Sequence, residues 1–149
     1  MAKTPEPMDV PAVLEGLNHA LALLFRSALQ YTVLSASLFG LEYLALGAEL
    51  RSYGEADLAD ARLVVEKIAS LGGNPTTSVA PFAWSGEPAR AVELVITNEE
   101  EAIDALRVVI PHTGNEGRSE ALEHLIEHTL LRKQNQLDFL FRTRRRESS

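Results

Sequence analysis

Several polar side chains stand where an amphipathic helix would carry apolar ones. Asp57 lies four residues after Tyr53 and seven before Val64, and Asp60 lies four before Val64. Glu99 lies three after Ile96 and four before Ile103. Lys133 lies seven after Ile126 and four before Leu137, with Gln136 one turn further along the same side, and Tyr31 falls inward on the first apolar stripe. Residues three and four apart share one helix face, so these groups are expected to point into the interior. Buried ionisable groups are costly unless they pair with one another or bind a metal. Two chemistries are therefore open: a carboxylate metal site built on Asp57, Asp60 and Glu99, or an ion cluster in which Lys133 neutralises Glu99 or Asp57.

The chain offers few other reactive groups. It has no cysteine, which removes disulfides, thiolate metal sites and a cysteine nucleophile together and leaves carboxylate and imidazole as the ligands for any metal. His124 and His128, flanked by Glu120, Glu123 and Glu127, are spaced to chelate one ion, but the HLIEH run lacks the glutamate spacing of a zincin. Both histidines lie beside the Ile126 to Lys133 stripe, so they read as a solvated face. His19 and His112 stand alone. No serine, histidine and acid are spaced as a triad, and no glycine-rich phosphate loop occurs.

Four long periodic segments carry the inward groups. Leu14, Leu17, Leu21, Leu24, Ala28, Tyr31 and Leu38 mark a first helix over about 11–39. After Gly40, Tyr43, Leu46, Leu50, Tyr53, Ala61, Val64, Ile68 and Leu71 mark a second over about 41–71, stopped by Gly72-Gly73-Asn74-Pro75. Residues 72 to about 87 contain two prolines and three glycines and read as a long extended connection. A third helix carries Val92, Ile96, Glu99, Ile103, Leu106 and Ile110 and breaks at Pro111. The fourth opens with Ser119 as N-cap and runs through Leu122, Ile126, Leu130, Leu137 and Leu140 into the arginines. No strand-like alternation appears.

Short connections make the first and second helices antiparallel neighbours, and likewise the third and fourth. Roughly 16 extended residues at about 3.3 Å each could cross the whole bundle, so the expected fold is all-α: a four-helix bundle of two antiparallel pairs joined by one long crossover, the ferritin-like arrangement. It forms one domain over 1–149, with an N-terminal extension at 1–10 and a basic tail at 143–149.

With 21 acidic and 14 basic side chains among 149 residues, the net charge is −7. Residues 1–131 hold eight basic and 19 acidic side chains, against six and two in 132–149. An acidic body disfavours nucleic acid, apart from the tail cluster of Arg142, Arg144, Arg145 and Arg146, which otherwise suits a helix C-terminus. No signal peptide is read at the start, and the uncharged run from Ser27 to Leu41 is too short for a bilayer span of roughly 20 residues, so the expected location is cytoplasmic.

The runs Leu17-Asn18-His19-Ala20-Leu21, Ala28-Leu29-Gln30-Tyr31, Glu66-Lys67-Ile68-Ala69-Ser70-Leu71-Gly72-Gly73-Asn74-Pro75 and Leu137-Asp138-Phe139-Leu140 resemble the bacterioferritin and Dps branches of the ferritin-like superfamily, over about residues 11–142. The resemblance implies iron binding or storage, with two irons held by a glutamate from each of two helices and a Glu-x-x-His motif from each of the others. Carried over residue by residue, the first glutamate falls on Leu24, and the second-helix motif on Asp57-Leu58-Ala59-Asp60. The third-helix acid is Glu99, with Glu100 or Glu101 as alternative registers, and the fourth-helix motif falls on Lys133-Gln134-Asn135-Gln136. The position of a haem-binding methionine is Leu58, so no haem is expected, and the late first helix lacks the histidine of a Dps interface site.

What the resemblance implies is thus a degenerate centre: weak metal binding at Asp57, Asp60 and Glu99, or a metal-free binding and assembly module in which Lys133 replaces the metal charge. Ferroxidase activity would be lost with the missing ligands. The expected partner is a second copy, in a homodimer or a 12- or 24-subunit shell, through first- and second-helix faces carrying Ala28, Ala36, Ser37, Gly47 and Ala48.

Overall fold

A computed structural model describes residues 4–148, with side chains described through residue 144. The helices are α1 Val10–Ser37, α2 Leu44–Ser70, α3 Pro88–Arg107 and α4 Ser119–Ser148. The described residues contain no strand, and the four helices form the expected bundle. Helix α1 packs on α2 and α3, and α3 packs on α4.

Helix starts and stops follow local chemistry, with corrections to the expected boundaries. Asp9 caps α1 by accepting from the Ala12 amide at 3.2 Å, and Pro11 sits in the first turn where its missing N–H costs nothing. Between α1 and α2 the reversal takes Leu38 to Tyr43: Gly40 at φ +105° and a 3₁₀ turn at Leu41–Tyr43, where the sequence suggested a single glycine. Helix α2 ends in a Schellman turn. The Gly72 amide donates to Ala69 O and the Gly73 amide to Ile68 O, with Gly72 at φ +85°. Helix α3 stops at Arg107, three residues early, because a 3₁₀ turn at Ile110–His112 precedes Thr113. Ser119 is the first residue of α4 and not its N-cap; its hydroxyl donates to Thr113 O at 2.6 Å and closes the loop.

The chain's ends are tied down further than the sequence indicated. The Asn115 amide donates to Glu6 O, the Asp9 amide to His112 O and the Met8 amide to Glu116, so the N-terminal extension lies against the α3–α4 loop. The basic tail continues α4, with Arg144 paired to Glu93; the side chains of Arg145 and Arg146 lie outside the described residues.

The 71–87 connection runs along α1. Asn18 holds it twice, its Nδ2 donating to Asn74 O at 3.2 Å and its Oδ1 accepting from the Thr76 amide at 2.8 Å, and the Ala80 amide reaches Ala22 O at 3.2 Å. This long segment thus has its backbone partly satisfied by the helix it crosses.

Two apolar clusters fill the interior. One gathers Val13 to Leu24, Ala61 to Ile68, Ala102 to Val109 and Leu122 to Ile126. The other gathers Tyr31, Leu34, Leu50, Ala91 to Ile96, Leu137 and Leu140. On α1, α2 and α4 a gap separates the two sets; on α3 the stretch between Ile96 and Ala102 does so, with Ile103 beyond it still joining the second set. The buried polar residues, apart from Thr113 and Ser119 at the α3–α4 loop, fall in these gaps.

Candidate functional site

Every helix contributes to the polar layer: Ser27 from α1, Asp57 from α2, Glu99 from α3 and Lys133 from α4, all essentially without solvent exposure, joined by Tyr31 of α1 and Gln136 of α4. Lys133 Nζ donates to Glu99 Oε1 at 2.8 Å and to Asp57 Oδ2 at 3.0 Å. Ser27 Oγ donates to the same Glu99 oxygen at 2.9 Å, and Gln136 Nε2 to Asp57 Oδ1 at 3.4 Å. The lysine stem spans from the α4 backbone to the bundle axis, which places the ammonium between the two carboxylates.

Three buried polar atoms of this layer have no hydrogen-bond partner: Tyr31 Oη, Glu99 Oε2 and Gln136 Oε1. Tyr31 lies one turn after Ser27 on α1. Burial first, then the charges of Glu99 and Asp57, push its phenol well above the ordinary tyrosine range, so it keeps its proton. Its ring stacks edge-on against Tyr53, with centroids 5.6 Å apart, and Tyr53 stacks likewise on Phe139.

Electrostatics of the layer are dominated by desolvation. Burial raises the Asp57 carboxyl to about 7, with Lys133 drawing it back and Glu99 pushing it further up. Burial also disfavours the Lys133 ammonium, but Glu99 and Asp57 outweigh it and hold the amine above its ordinary value. One cation faces two carboxylates, so the layer retains one unit of negative charge unless Asp57 binds a proton.

Asp60, grouped with Asp57 and Glu99 in the sequence reading, takes a different partner. Its Oδ2 lies 3.0 Å from Arg132 Nε, a contact whose alignment falls short of a hydrogen bond. Burial raises its carboxyl and Arg132, His128 and Lys133 oppose the rise. Of the three adjacent α3 acids, Glu99 is the one that faces the interior. Glu100 and Glu101 are exposed, and Glu101 pairs with the buried Arg26 at 3.5 Å. Ser27 was missed in the sequence. Its position four before Tyr31, on the α1 stripe, was the available signal. His124 and His128 are both exposed, and His124 pairs with Glu120.

These residues do not fit a di-iron pair. The ammonium occupies the point where the Asp57 and Glu99 oxygens converge, and Leu24, Lys133 and Gln136, the positions the resemblance would give to further ligands, offer no carboxylate or imidazole, with Leu24 fully buried in the apolar cluster. Among the described residues, no three histidine, aspartate or glutamate side chains converge as metal ligands.

The ferritin-like domain family matches residues 14–143, and the chain belongs to that family. No curated protein matches it in sequence. Solved structures with the same fold include a ferritin-like diiron-carboxylate protein from Bacillus anthracis, at 23% identity and a TM-score of 0.81 over 91% of this chain and 97% of that one. A Mycobacterium tuberculosis bacterioferritin aligns at 19% identity and 0.81, over 91% and 85%. A Rhodobacter capsulatus bacterioferritin, described with a metal-free dinuclear site and a haem iron, aligns at 19% and 0.78, over 89% and 82%. No helix among the described residues is long and apolar enough to cross a membrane.

Proposed function

We propose that this chain is a ferritin-like subunit of bacterioferritin type whose bundle centre carries a covalently attached cation, Lys133 Nζ, where relatives are built around metal. It works as a metal-free binding and assembly module and has no ferroxidase activity of its own. The observation that carries this reading is the ammonium at 2.8 and 3.0 Å from the Glu99 and Asp57 carboxylates. An internal positive charge repels an incoming dication and removes the need for one.

Assembly is expected through the outer face of α1 and α2. Leu29, Val33, Leu58 and Leu63 are exposed there, and Ala36, Gly47 and Ala48 line the adjoining groove. Ala28, also expected at this face, instead packs inward against Gly54 of α2. The second reading, storage of iron in a larger shell, draws support from the acidic body of the chain, since mineral can nucleate on carboxylates without an oxidation centre.

The test combines elemental analysis of the purified protein, aerobic addition of ferrous iron, and mass in solution. Expected are iron, manganese and zinc far below one per chain, iron oxidation no faster than in buffer, and a dimer or larger species that Leu58→Arg dissociates. Two irons bound per chain with rapid oxidation would refute the proposal. A 12- or 24-subunit shell that takes up iron slowly would transfer the assignment to storage.

A further inference from the structure

The central cluster has a chemical possibility that charge compensation does not exhaust. Lysine amine, aspartate carboxyl and glutamate carboxylate stand in contact at 0%, 1% and 1% exposure, between two apolar layers. We propose that Lys133 and Asp57 condense to an intramolecular amide, with Glu99 as the proton acceptor, so that the mature protein carries a covalent cross-link between α4 and α2. The inference rests on the reading that Lys133, and no metal, occupies the centre.

Geometry supplies every group the reaction needs. The attacking atom, Lys133 Nζ, is 3.0 Å from Asp57 Oδ2 and therefore adjacent to the carboxyl carbon. The acceptor, Glu99 Oε1, is 2.8 Å from the same nitrogen. Gln136 Nε2 donates to the other aspartate oxygen, Oδ1, which stays as the amide carbonyl and carries the developing negative charge. Proximity of this kind, held by four packed helices, replaces an encounter with an effective concentration on the order of 10⁵ M or more.

The step balances without a co-reactant. Lys133 passes one ammonium proton to Glu99, and the freed electron pair on Nζ attacks Cγ of Asp57 in its acid form. The C–N bond forms, a second nitrogen proton moves by way of Glu99 to Oδ2, and the Cγ–Oδ2 bond breaks with release of one water. One N–H remains on the amide, one proton on Glu99, and nothing is oxidised or reduced.

Burial gives the step its direction. An amine and a carboxyl group dissolved in water remain an ion pair because hydration favours the charges. In the bundle interior that hydration is gone, and condensation converts two desolvated charges into a neutral amide whose N–H can donate to Glu99.

The natural full-length chain is purified, denatured and weighed intact, and metal content is measured on the same sample. The expected mass is below the sequence value by one water, about 18 Da, as the condensation requires. The tryptic fragments 52–62 and 133–142 should emerge as one branched species. Glu99→Gln, which keeps the shape but cannot accept the proton, should leave the chain at its full mass. A natural chain of full mass, giving separate peptides 52–62 and 134–142 with cleavage after a free Lys133, would overturn the proposal, and amide formation in Glu99→Gln at the natural rate would overturn the role of Glu99. Full mass in a metal-free sample leaves the Lys133 reading standing and removes only the cross-link. Full mass with metal at the centre removes both.

Discussion

Replacing Lys133 by methionine removes the cation and keeps most of the stem, leaving two carboxylates facing each other in an apolar interior. The cleanest reference is the neutral variant Asp57→Asn, Glu99→Gln, Lys133→Met, because neither protein can form the amide and both keep similar volume. In Lys133→Met at least one of the two carboxyls must bind a proton to fold, since Ser27 and Gln136 supply only two hydrogen bonds between them. Protonating a carboxyl whose unfolded value is about 4 costs about 1.4 kcal/mol per pH unit, hence about 4 kcal/mol at pH 7 and about 1 kcal/mol at pH 5. This agrees with the roughly 3–5 kcal/mol found when one partner of a buried ion pair is removed. The sign follows from the raised folded-state value: the stability is fully present below the unfolded value and is lost as pH rises toward the folded one. Urea unfolding of both variants at pH 5 and pH 7, compared at equal slope, reads the difference directly. A gap that stays constant with pH, or remains under about 1 kcal/mol at pH 7, would refute a buried, uncompensated carboxylate pair.

Asn18→Ala should release the crossover by removing both of its contacts to Asn74 and Thr76, lowering stability by about 1–2 kcal/mol and speeding limited proteolysis within residues 72–87. At Gly54 an added Cβ would sit 3.2 Å from Ala28 O and from Tyr31 Cβ, so Gly54→Val should force α1 and α2 apart and cost about 2 kcal/mol, read as a lowered midpoint in thermal unfolding. Arg132→Ala leaves Asp60 buried without its partner. Because Arg132 is partly exposed, the expected loss at pH 7 is only about 1–2 kcal/mol; it shrinks at pH 5 as Asp60 takes up a proton, which paired denaturant titrations would show.

The fold was legible because its information is periodic. Apolar spacing assigned four helices, and a crossover of fixed length left one topology. The inward acids and Lys133 followed from the same arithmetic, since a residue four places from two apolar neighbours has little choice of face. Pairing between helices was less legible. Asp57 and Asp60 are three apart and share a stripe, yet one meets Lys133 and the other Arg132, adjacent residues whose directions on α4 differ by about 100°. Which of two neighbouring cations reaches which acid depends on how α2 and α4 are rotated against each other, and no single-helix pattern encodes that rotation. Ser27 was silent for a different reason: a small hydroxyl on a buried stripe is cheap once its donor is used, so it leaves no anomaly in the hydropathy pattern. Helix ends erred where one signal served two roles. Ser119 has the residue type of a cap, but its hydroxyl is spent on Thr113.

The charge arithmetic of the centre separates this chain's chemistry from that of a metal-holding bundle. A dication can neutralise two carboxylates at once and can leave again, so stability and occupancy are tied to ion supply. One ammonium neutralises only one carboxylate and cannot leave. The surplus is visible in Asp57, whose value of about 7 marks a carboxylate that burial and Glu99 disfavour more strongly than Lys133 supports it. Without a metal that surplus is discharged by binding a proton at Asp57, and the condensation starts from that neutral layer. The proton on Asp57 leaves the negative charge on Glu99, opposite Lys133, until condensation passes a proton to it; Glu99 is the acid that already has a second donor in Ser27. The α1 position that the resemblance would give to a metal-ligating glutamate is apolar Leu24, and the hydroxyl three residues further on is the partner suited to the carboxylate that keeps its charge while Asp57 holds a proton.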